Sequence, residues 1–141
     1  MSRSARTTIL YGLNLFLALT AVAGGIALIA GLIKMPLSAL AGSPFTDYTV
    51  PGILLTAIVG GTSLLAAWLV HRGLGLGAQV SAVAGGAIII FEIVEWNIIG
   101  FQWLQALYIG VGVAILALAV WTQIEQLLDS VSPRAPGRVA R

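Results

Sequence analysis

The chain of 141 residues has no cysteine, a single histidine and few charges, with Lys and Arg numbering 7 and Asp and Glu 5. Without cysteine there is no disulfide, no thiolate nucleophile and no thiolate metal site. His71 stands without a second ligand at helical spacing, which makes a poor metal centre. Glu92 and Glu95 form an E-x-x-E pair but lack the E-x-x-H elements of di-iron bundles. Also missing are a glycine-rich phosphate loop, an H-E-x-x-H sequence and any pairing of a nucleophile with a base. No metal, cofactor or catalytic residue is therefore expected, and the protein is not expected to be an enzyme. The formal net charge of +2 comes from basic residues scattered at helix ends, too sparse to form a phosphate-binding face, so nucleic acid is not an expected partner.

What the chain has in abundance is hydrocarbon. Hydrophobic residues make up 59% and charged residues 9%, against roughly 25% charged in ordinary soluble domains. Mean hydropathy is +1.02. A membrane span needs ~20 consecutive apolar residues. Four segments qualify, at about 8–33, 50–70, 76–99 and 102–122. The apolar run after Arg3 and Arg6 is longer than a secretory h-region, so it is read as a helix. The expected fold is an all-α membrane protein, a four-transmembrane-helix antiparallel bundle over residues 1–129. Residues 130–141 are expected to be a disordered basic cytoplasmic tail.

Cationic flanks are retained on the cytoplasmic side of a membrane. In a four-pass chain Arg3, Arg6, Arg72, Arg134, Arg138 and Arg141 fall on one side and only Lys34 on the other. Both termini are accordingly expected to be cytoplasmic, with the longer first loop outside. Glycine pairs Gly24-Gly25, Gly60-Gly61 and Gly85-Gly86, with Gly110 and Gly112, fall near mid-helix. Small residues there let helices approach closely in lipid, which predicts a bundle with a narrow waist.

The segment Gly42-Ser43-Pro44-Phe45-Thr46-Asp47-Tyr48-Thr49-Val50-Pro51-Gly52, together with Phe101-Gln102-Trp103-Leu104-Gln105, resembles sequences of uncharacterised small bacterial four-helix membrane proteins. The resemblance implies a bacterial inner (plasma) membrane location and no particular activity. Physically, Ser43, Thr46 and Asp47 are capping residues, and Phe45 and Tyr48 suit the headgroup level. The loop reads as a capped, anchored turn, with a lid over an outward-facing cavity as the alternative.

A carboxylate within a membrane helix costs at least ~2.5 kcal/mol, so such groups usually face the bundle interior. Glu92 and Glu95, three residues apart, share one helical face. By helical rise, Thr56 and Tyr108 lie at the depth of Glu92, while Gln105 and Lys34 lie near that of Glu95. Mutual repulsion and apolar surroundings both favour a protonated acid in such a pair.

A substrate or proton site of Glu92, Glu95, Tyr108, Thr56, Trp96 and Gln105, with Trp103 on the cavity wall, follows as one expectation. The plainer alternative has Glu95 paired with Lys34 and Glu92 bonded to Tyr108 or Thr56 as packing glue. His71 and Arg72 are expected to meet an anionic headgroup, and Asn14 to make a helix-to-helix hydrogen bond. The leading functional expectation is a non-enzymatic accessory or assembly subunit, or a homo-oligomer; the alternative is a small cation- or proton-coupled transporter or channel. Expected partners are the lipid bilayer and other membrane subunits or copies of itself.

Overall fold

A computed structural model describes residues 1–131, and among these the regular structure is entirely helical. Four helices are long and apolar enough to cross a membrane: α1 (Arg3–Ile29), α2 (Thr49–His71), α3 (Gly77–Ile99) and α4 (Trp103–Val131). A short 3₁₀ helix, Leu37–Leu40, interrupts the loop between α1 and α2.

Local chemistry sets the helix ends. Ser2 Oγ accepts the backbone N–H of Ala5 at 3.2 Å and starts α1 ahead of the apolar run. Gly31 and Gly73, at φ 67° and 66°, take the left-handed conformation that stops α1 and α2. Asp47 Oδ1 accepts the N–H of Thr49 at 2.8 Å, and Pro51 sits in the first turn of α2, where its missing N–H costs nothing. Apolar content alone places α1 too late and α4 too short. Polar first and last turns continue these helices past the apolar runs, so α1 begins at Arg3 and α4 runs through Ser130 to Val131. Residues 130 and 131 are thus helical rather than part of a tail; the tail expected over 132–141, with Arg134, Arg138 and Arg141, lies outside the described residues.

The helices run antiparallel in sequence order. Arg6 at the start of α1, the α2–α3 turn at Gly73 and Leu74, and Glu125 late in α4 line one small cavity at the termini end. Leu10, Leu17, Ala21, Val59, Val70, Ile88 and Ile115 pack as one core. A polar bridge crosses it: Asn14 Nδ2 donates to Ser81 Oγ at 3.1 Å between α1 and α3, and Ser81 Oγ donates to the Gly77 carbonyl at 2.7 Å. Interhelical bonds of this kind contribute about 1 kcal/mol. Ser81→Ala is expected to destabilise the detergent-purified protein by roughly that amount in reversible denaturation.

Close approach is made by single glycines rather than by glycine pairs. A Cβ at Gly85 would stand 2.8 Å from the Gly112 carbonyl oxygen, and one at Gly112 would stand 2.9 Å from that of Gly85. Gly25 and Gly52 abut in the same reciprocal way between α1 and α2. Gly60 meets Val22, but Gly61, Gly86 and Gly110 would have nothing within 4 Å of an added methyl, and Gly24 only an ordinary contact. The expectation of close contact at Gly61 and Gly86 is therefore corrected. Adjacent residues on a helix point about 100° apart, so one of each pair faces a neighbour and the other faces outward.

Helix α2 is not uniform. Residues Leu55–Gly60 are wound as a π-helix, a wider turn that rotates the two halves of α2 relative to one another. Leu55 thereby faces one cavity, while Ile58 and Val59 face another.

Candidate functional site

Glu92 lies on the inner face of α3, two turns before its end, and is 4% exposed. Glu95, one turn on, is half-buried on the same face. From α4, Gln105 turns inward and is 2% exposed. Its Oε1 accepts the backbone N–H of Gln102 at 2.9 Å, which caps the start of the helix, while its Nε2 is enclosed without a hydrogen-bond partner. Tyr108, one turn further along α4, stacks on Phe16 of α1 with ring centroids 6.4 Å apart.

These groups surround a cavity of about 590 Å³ at the loop end of the bundle. Glu92, Glu95, Gln102, Gln105, Tyr108 and Thr20 are among its polar lining residues, and Leu17, Leu28, Leu55 and Ile88 among its apolar walls. Trp103 and, from the first loop, Met35, Pro36 and Ala39 also line it. The loop is fastened at its base, because the Tyr48 hydroxyl donates to the Pro36 carbonyl at 3.0 Å.

Not every residue of the expected constellation takes part. Thr56 packs instead on Gly25 of α1, its Oγ1 buried and unpartnered outside this cavity. Trp96 points away, 49% exposed, and packs on Phe101 at 5.3 Å. The helical period explains both: a residue one position from Glu95 cannot share its face, and the π-turn changes the register of Thr56. Lys34 is exposed, and among the described residues the ion pairs do not include it, so neither carboxyl is neutralised by a cation. Among the same residues, Tyr108 makes no hydrogen bond to Glu92.

At the opposite end His71 packs on Tyr11 with ring centroids 5.4 Å apart, and the Arg72 guanidinium lies 5.6 Å from the Trp68 ring. Both remain exposed. The residue that sequence reasoning missed is Arg6, read there as a topology signal. It is 1% exposed and grips Glu125 with both terminal nitrogens, Nη1 to Oε1 at 2.7 Å and Nη2 to Oε2. Trp121 Nε1 donates to Glu125 at 2.8 Å, and the Arg6 guanidinium lies over the Trp121 ring at 5.3 Å. Arg3 adds a bond of 2.7 Å to Asp129. A Trp-x-x-x-Glu-x-x-x-Asp spacing on one face late in α4 was the available signal.

No family profile, curated protein or solved structure matches the chain.

Proposed function

We propose that this protein is a small polytopic membrane protein of the cation- or proton-coupled transporter or channel class, with Glu92 and Glu95 as its ion-binding pair. The observation that carries the reading is the 590 Å³ cavity reaching both carboxyls, with the unpartnered amide of Gln105 beside them. Packing glue would fill the interior and match each buried polar group with a partner. Here two acids and a free amide border open space, and among the described residues no Lys or Arg pairs with either acid. Two carboxyls one helical turn apart and facing one cavity can take up either a proton or a cation. Such a pair suits exchange of one for the other, and supports this reading over that of an accessory or assembly subunit.

In this reading the four helices span a plasma membrane, with both termini in the cytoplasm and the cavity in the outer half of the bilayer. Arg3, Arg6 and Arg72 at the termini end support that orientation. His71 and Arg72, exposed at the same end, suit contact with anionic headgroups. Reporter fusions at either terminus should report the cytoplasm, and an insertion after Gly42 should report the opposite side; a terminus found outside would reverse the bundle.

The site itself is tested by calorimetric titration of the detergent-purified protein with methylammonium, a small cation able to donate to both acids. Binding should strengthen as pH rises, since protons compete for the same oxygens. Glu92→Gln and Glu95→Gln should each weaken it at least about tenfold, a loss of ~1.4 kcal/mol. No heat in the parent, or equal binding by parent and variants, would overturn the proposal.

A further inference from the structure

A second cavity, about 350 Å³, lies between α2 and α3 under the first loop. Its walls are Leu54 and Ile58 from α2 with Ile90 and Val94 from α3, all substantially exposed, so it opens on the side of the bundle. Phe45 and the ring of Tyr48 roof it, and the Tyr48 hydroxyl is already engaged with Pro36. Glu95 is the one charged side chain in its lining among the described residues.

The two cavities are adjoining spaces. Leu28, Phe91, Glu95 and Ile99 border both, so Glu95 stands where the larger cavity, lined by both acids, meets the apolar groove. An inorganic cation bound at the carboxyls has no use for a hydrocarbon groove beside them. A molecule with a positive head and an apolar tail satisfies both at once: the head gains charge-assisted hydrogen bonds to the acids, and the tail fills the groove.

Resting on the reading of Glu92 and Glu95 as a cation site, we infer that the ligand is an amphipathic organic cation. Its ammonium head lies against Glu95 and Glu92, and its hydrocarbon tail lies in the lateral groove between α2 and α3. The groove opens where the bilayer would lie, so such a ligand enters sideways from the membrane, tail and head together.

A test uses an alkylamine bearing a photoreactive diazirine near its tail end, with the protein in lipid nanodiscs and the labelled residues read by mass spectrometry. The expected result is labelling at Ile58, Ile90 and Val94 that methylammonium suppresses, and that falls at least about fivefold in Glu95→Gln. An alcohol of the same length and diazirine position should label the groove far less. Equal labelling by amine and alcohol would show that any hydrocarbon, an acyl chain included, fills the groove, and would overturn the inference. So would amine labelling confined to the larger cavity, with methylammonium binding intact, which leaves the cation site standing. Should methylammonium neither bind nor compete, the reading of the carboxyl pair fails and this inference with it. Val94→Trp, at an exposed position, should weaken alkylamine binding while leaving methylammonium unchanged; an equal effect on both would overturn the tail's placement.

Discussion

Replacing Gly85 by leucine is expected to cost the protein most of its folded yield, while the same change at Gly86 leaves it intact. The two residues are neighbours in an identical apolar context, yet they differ in what a side chain would meet. At Gly85 the first added carbon already stands 2.8 Å from the Gly112 carbonyl, 3.2 Å from Ile115 and 3.2 Å from the Leu116 nitrogen. Two of these are backbone atoms, which cannot swing aside as a side chain can. Relief requires α3 and α4 to separate, and that pair shares an extensive helix contact. Overpacking of a tight core typically costs about 1–3 kcal/mol, and a helix–helix backbone contact belongs at or above the top of that range. At Gly86 nothing lies within 4 Å, so Gly86→Leu only adds apolar surface facing outward. Thermal denaturation in detergent, followed by size-exclusion chromatography, separates the cases. Equal melting temperatures for the two variants would show that α3 and α4 do not touch at this level.

Removing the Arg6 guanidinium with Arg6→Gln is expected to lower the melting temperature strongly, and adding Glu125→Gln is expected to restore part of the loss. Arg6 is fully enclosed and its two donors reach both oxygens of Glu125, so the pair joins the start of α1 to the end of α4. Those two helices otherwise share little contact, which makes the ion pair a large part of what holds them at this end. Breaking such a pair from one side leaves a carboxylate with a tryptophan N–H and a more distant Arg3 as its partners. In the double variant no uncompensated charge remains, so the second substitution should help rather than harm. Arg6→Lys should fall between, because a single ammonium cannot make the two-pronged contact or lie flat over Trp121. A double variant less stable than Arg6→Gln would show that Glu125 matters through something other than this pair. Melting curves at high salt offer a further check, since a pair whose arginine is buried is screened less than the exposed Arg3–Asp129 pair.

Composition and the lengths of four apolar runs are enough to specify four long helices. Each run stays hydrophobic over sufficient turns to span a bilayer and is punctuated by glycine, proline and polar residues. The inward polar face of α3 is equally legible from residues alone, since E-x-x-E spacing places both acids on one side of any helix. Asn14 was readable as a bridging residue, and Gln105 and Tyr108 could be placed near the acids by depth.

Packing, in contrast, selects which glycine of each pair is a contact and which polar side chains share a cavity. Both depend on the rotation of each helix about its axis, and a chain apolar on nearly every face carries little signal for that angle. Trp96 and Thr56 went astray for this reason: depth along a helix follows from counting residues, but facing does not, and the π-turn at Leu55–Gly60 shifts the count within α2. Arg6 shows a related limit. An arginine before an apolar run reads as a cytoplasmic flank, and its burial depends on α4 continuing beyond the apolar stretch far enough to bring Glu125 and Trp121 alongside, a partnership 119 residues apart that no local pattern encodes.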